Sequence, residues 1–187
     1  MTPAPQHGSD DIDIDVAIED ERWREIAALD EVIHKAVRQT LAATGVRLLP
    51  AAELSLLLCD DDFIAELNAK WRGRNAPTNV LSFPAGGAPS ETPLLGDIII
   101  AFETTAREAA EEEKPLADHF AHLVVHGLLH LIGYDHETDA EAEEMEALER
   151  DILAALGVAD PYRGSIVEGG RRSEGADESV NESAGTR

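Results

Sequence analysis

The sequence predicts an α+β fold: a mixed sheet of about four strands with helices packed on it. Three observations carry this. Residues 11–18, DIDIDVAI, alternate polar and apolar strictly, the period of a half-buried strand. Residues 98–100, Ile98-Ile99-Ile100, form a near-continuous apolar run, as in a strand covered on both faces. Between and after these segments, apolar residues recur at the helical period.

The elements follow in order. After the first strand, Ile26, Leu29, Val32, Ile33, Val37 and Leu41 mark a helix over residues 25–44, closed by Gly45. A second strand covers residues 53–59. Asp60, Asp61 and Asp62 then cap and charge the first turn of a helix running to Lys70. Gly73, Asn75 and Pro77 make residues 72–77 a loop, and a short strand over 80–83 is stopped by Pro84. A Gly/Pro-rich loop over 85–93 leads into the apolar strand 94–102, and a helix covers 104–113. Pro115 opens a further helix to Ile132. The acidic segment 138–156 forms the last helix, with Met145, Leu148, Ile152 and Leu156 turned inward and Gly157 ending it. Residues 1–10 and 165–187 lack apolar periodicity and read as disordered tails, leaving a single domain over 11–164. There is no internal repeat.

Composition narrows the function classes. With 187 residues, 43% of them apolar and 28% charged, the chain can bury a core as a soluble globular domain. Its single Cys59 has no internal disulfide partner and lies in an apolar run, so it reads as a buried, inert thiol. The N-terminus has neither a basic start nor an apolar core, so it reads as no secretory signal, and no apolar run approaches a membrane span. A cytoplasmic protein is expected. The net charge of −23 opposes indiscriminate nucleic-acid binding, DNA included. Only local charge can answer that objection, and the densest basic cluster is Lys70, Arg72 and Arg74.

The late helix and the turn after it carry the chemistry. Residues 126–136 read HGLLHLIGYDH, with histidines at i, i+4 and i+10. His126 and His130 share one helix face, a single turn apart. Gly133 can take the left-handed conformation that ends a helix, bringing His136 back to the same point. Three neutral imidazoles suit one Zn2+ per chain and leave the fourth tetrahedral position open, the arrangement of a catalytic site. Asp135 either orients a ligand imidazole or caps the turn. His119 and His122 lie on the same face and read as packing or supporting groups, not ligands. The spacing matches the zinc-protease pattern HExxHxxGxxH, but its general-base glutamate is replaced by Gly127.

These motifs resemble the YbeY family of bacterial endoribonucleases, the ribosomal RNA maturation factors. The likeness rests on residues 126–136, on RGRNAPTNVLSFP (72–84), LLGDIII (94–100) and EAEEMEALE (141–149), and on DPY (160–162). It is strong over about residues 50–162, and the long polar tails depart from it. The resemblance implies that His126, His130 and His136 bind zinc and that Arg72 is the essential arginine facing it. It also implies cleavage of single-stranded RNA, maturation of small-subunit ribosomal RNA ends and a part in ribosome quality control, with the ribosome or its proteins as partners.

The chemistry is consistent with this. Zinc activates water and polarises a phosphoryl oxygen, and a guanidinium can hold the charge that builds up during phosphodiester cleavage. Arg72 is the candidate for that role, with Lys70 and Arg74 as RNA-binding candidates. Either a metal-activated water or the substrate's own 2′-OH serves as nucleophile. Two rival readings remain: a metalloprotease-like hydrolase, and a non-catalytic assembly factor with a structural zinc.

Overall fold

A computed structural model describes residues 12–162, and the two expected tails lie outside that range. Strand β1 (Ile12–Ile18) leads through a short 3-10 turn (Glu21–Glu25) to helix α1 (Leu29–Thr44) and strand β2 (Ala52–Cys59). Helix α2 (Asp61–Arg72), strands β3 (Val80–Pro84) and β4 (Leu94–Ala101) and helix α3 (Phe102–Glu111) come next. Helices α4 (Leu116–Leu131) and α5 (Asp139–Ala155) complete the order.

The expected mixed sheet is present, with four strands in the order β1-β2-β4-β3. β1, β2 and β4 run parallel, and β3 lies antiparallel against β4. The interior strand β4 is covered on both faces, as its apolar run predicts. Ile98 and Ile100 join Leu54, Leu56 and Leu58 in the main core with α1, α4 and α5. Ile99 and Ala101 face the other way, with Cys59, Leu81 and Ile64 of α2. Ile98 and Ile100 are fully buried, each contributing about 1.5–3 kcal/mol by leaving water. Cys59 is the buried thiol expected, and burial pushes its pKa up to about 12, so it stays protonated and unreactive.

Among the boundaries that differ from the sequence expectation, four do so for a tertiary reason. The helix expected from residue 25 begins at Leu29, because Trp23 sits in the separate 3-10 turn. There its ring packs edge-on against Phe102, and its Nε1 donates to the Cys59 carbonyl at 3.0 Å. β3 runs through Pro84 instead of stopping before it. An edge strand tolerates the missing N–H. α3 starts directly at Phe102, locked to the start of α2 by reciprocal caps. Asp61 accepts from the Thr104 backbone and hydroxyl, while Glu103 accepts from the Asp61 N–H. The difference with most consequence for function is that α2 continues to Arg72. Gly73 closes the helix in the left-handed conformation (φ 67°), and the buried Asn68 amide donates to the Ala76 carbonyl at 2.8 Å. Arg72 therefore stands on a helix end, held more firmly than a loop residue.

Candidate active site

Helix α4 is apolar almost all round because it lies inside the molecule, between the sheet and helices α1, α3 and α5. Phe120, Val124 and Leu128 are fully buried, which fixes the helix against rotation and aims His126 and His130 together. Gly127 faces the sheet. A Cβ there would lie 2.9 Å from Ile98 Cγ2 and 3.1 Å from Ser82 Oγ. Ile98 is β-branched and wholly buried, so it has little room to yield. Gly127→Ala is thus expected to lower stability in a denaturant titration, because overpacking costs about 1–3 kcal/mol. The helix-propensity gain of at most ~1 kcal/mol does not offset it.

The turn forms as the sequence predicts. Gly133 takes φ 103°, and the Tyr134 N–H donates to the Leu129 carbonyl at 3.0 Å, a Schellman-type closure. His136 returns beside the helix, its ring centroid 4.9 Å from that of His130 and 5.9 Å from that of His126. One ring nitrogen from each of the three histidines falls within 4.8 Å of the others. The Nε2 atoms of His126 and His130 are only 3.1 Å apart. Two imidazole lone pairs so placed repel unless a proton or a cation lies between them. A tetrahedral zinc with ligands at about 2.0–2.1 Å separates its nitrogens by roughly 3.3 Å. The three histidines therefore fit a metal ion.

A buried carboxylate supports the cluster from behind. Glu149 on α5 is 0% exposed, and its Oε1 lies 2.7 Å from His126 Nδ1. Its Oε2 accepts from the Tyr162 hydroxyl and lies 3.5 Å from His122 Nε2, too poorly directed for a hydrogen bond. Burial alone would raise the Glu149 pKa, but His122 and His126 outweigh it and hold the carboxyl well below its usual range. His119 pairs with Glu108 at 2.8 Å, and Glu108 also accepts from Asn79. Glu149 is the residue sequence reasoning missed. Its signal was an acid on the inward face of α5, in helical step with Met145 and Ile152. Asp135 instead accepts from the backbone N–H of His136 at 2.8 Å, steadying the turn.

Arg72, Ser82, His126, His130, Asp135 and His136 line one cleft of about 370 Å³. Arg72 thus shares the cleft of the three histidines, although 54 residues separate it from His126 in the chain (126 − 72). Lys70 and Arg74 are exposed and stand outside its walls, with the Lys70 ammonium 5.2 Å from the Trp71 ring centre.

Burial, with His126 and His136 as neighbours, lowers the His130 pKa and favours the neutral ligand form. Below its ordinary value of 6.5 the unfolded chain therefore binds more protons than the folded one. Glu108 and Glu149 act in the same sense lower down, since carboxyls held below 4.5 lose their stabilising effect as pH falls through that range. Metal-free protein melted between about pH 8 and about pH 2 is expected to lose stability in two stages, the first below about pH 6.5 and the second below about pH 4.5. His130→Gln should remove the first stage.

Comparison with known proteins agrees with this architecture. A family model described as Endoribonuclease YbeY matches residues 15–157. The Endoribonuclease YbeY of Methylocella silvestris is 55% identical over 150 residues, covering 80% of this chain and 85% of the relative. That of Rhodopseudomonas palustris is 53% identical over 145 residues, covering 75% and 86%. That of Azorhizobium caulinodans is 51% identical over 153 residues, covering 81% and 96%. The solution structure of TM1509 from Thermotoga maritima shares the fold, with TM-score 0.50 and 21% identity over 85% of this chain and 99% of that one. The match spans the sheet from the middle of β1 onward, α2 with Arg72, and α4 with the following turn, and the chain belongs to the endoribonuclease YbeY family.

Proposed function

We propose that the chain is a zinc-dependent, single-strand-specific endoribonuclease of the cytoplasm. It matures the 3′ end of small-subunit ribosomal RNA and serves in ribosome quality control, on the ribosome or beside its proteins. The observation that carries this reading is the convergence of His126, His130 and His136 in the cleft that Arg72 also lines. The histidines hold one zinc, which when bound lowers the pKa of water and polarises a phosphoryl oxygen. Arg72 holds the non-bridging phosphoryl oxygens through its two-point guanidinium fork as negative charge accumulates. Lys70 and Arg74 draw the phosphate backbone towards the cleft. Trp71 stands 62% exposed between Lys70 and Arg72, a ring on which an unpaired base can stack. That pairing of an aromatic with cations suits single-stranded RNA better than duplex. Among the described residues, no helix is long and apolar enough to cross a membrane.

The protease reading is disfavoured at Gly127, where a protease would carry its general base and where even a Cβ meets Ile98 and Ser82. A purely structural zinc is disfavoured by the open cleft with an arginine on its wall. The direct test incubates a single-stranded ribosomal RNA fragment and a casein substrate with zinc-loaded protein. RNA cleavage without proteolysis is expected, and proteolysis alone would reverse the assignment.

The catalytic domain is assigned to residues 11–164. A chain trimmed to 9–164 should cleave RNA at the full-length rate. A folded but inactive trimmed chain would mean that the terminal segments recruit substrate.

A further inference from the structure

We propose that Glu149 and Tyr162 form a positioning relay that fixes the tautomer and angle of His126 for the metal. The inference rests on the metal reading of the three histidines. A wholly buried carboxylate is costly unless every oxygen is engaged, and an apolar residue at the same inward position of α5 would be cheaper. Here both oxygens are engaged. Oε1 accepts from His126 Nδ1, which places that ring's proton on Nδ1 and leaves the Nε2 lone pair directed at the cluster. Oε2 accepts from the Tyr162 hydroxyl, so the carboxylate cannot rotate away.

Tyr162 is itself pinned. Lys114 Nζ donates to the Pro161 carbonyl at 3.1 Å, and the Tyr162 N–H donates to Asp160 Oδ1 at 2.9 Å. The Arg150 guanidinium lies 5.8 Å from the Tyr162 ring centre. The segment 160–162 therefore reaches back behind the metal ligands, although it lies beyond the 15–157 span of the family match. His122, 6.0 Å from the Tyr162 ring and 3.5 Å from Glu149, packs beside the relay.

The test uses the full chain and reads metal binding, not cleavage. Zinc affinity is measured by competition with a chromophoric chelator, and ligand geometry by the visible spectrum of the cobalt-substituted protein. Glu149→Gln should weaken zinc binding roughly ten- to a hundred-fold and alter the cobalt spectrum. Tyr162→Phe should shift both in the same direction by less, and the double variant should bind no more weakly than Glu149→Gln alone. Wild-type affinity in folded Glu149→Gln overturns the relay. So does a second zinc equivalent in the wild type that Glu149→Gln loses, because Glu149 would then be a ligand. Should Glu149→Gln fail to fold, Tyr162→Phe decides, and an unchanged affinity and spectrum refute the proposal. A wild-type chain that binds no metal at all removes the reading of the site itself, an outcome distinct from these.

Discussion

His130→Ala is expected to abolish metal binding and, with it, RNA cleavage. Of the three histidines His130 is the central one, its ring nearest to both partners at 4.7 and 4.9 Å. Removing it leaves His126 and His136, with ring centres 5.9 Å apart and too few donors for a stable zinc site. The fold should survive, because the core of Phe120, Val124 and Leu128 lies on the other faces of α4. Elemental analysis of the purified variant should therefore find zinc near zero in a protein of wild-type secondary structure. Full zinc occupancy would show that His130 is no ligand.

Arg72→Ala should behave in the opposite way, keeping the metal and the fold while losing roughly 10²–10³-fold in cleavage rate at saturating RNA. Its backbone ends α2 and its side chain borders the cleft without entering the core, so truncation removes charge and little packing. Arg72→Lys should recover only part of the loss, since an ammonium lacks the planar two-point contact. Arg74→Ala is the internal control. Lying outside the cleft, it should raise the RNA concentration needed, in a salt-dependent way, and spare the saturated rate. If Arg72→Ala merely repeats the Arg74→Ala result, Arg72 is one more basic residue and stabilises nothing in the reaction.

The parts of this site that were legible in the sequence are those set by local geometry. The spacing of His126 and His130 needs only the helical period, and the return of His136 needs only Gly133 in its turn. The strands were legible for a similar reason: alternation in β1 and an apolar run in β4 report how many faces each strand buries. Tertiary choices were not legible. Gly73 reads as part of a loop, yet it is the cap of α2, and the helix end is secured by a tertiary bond from the Asn68 amide to the Ala76 carbonyl beside the local cap. The predicted helix starts four residues late, after a 3-10 turn in which the Trp23 indole donates to the Cys59 carbonyl, 36 residues away. The same limit explains the supporting carboxylate. Asp135 is adjacent to His136 in sequence, whereas Glu149 reaches His126 across 23 residues and two helices.

The central claim is that these three histidines, through the metal they hold, make the chain an RNA-cleaving enzyme. It is tested most directly by following one single-stranded ribosomal RNA fragment through three conditions: purified protein, protein treated with chelator, and treated protein given zinc again. His126→Ala is carried through the same series. The account predicts cleavage that chelation abolishes and zinc restores in the wild type, and none in His126→Ala under any condition. Cleavage by His126→Ala at the wild-type rate, or wild-type cleavage indifferent to chelation, would contradict it.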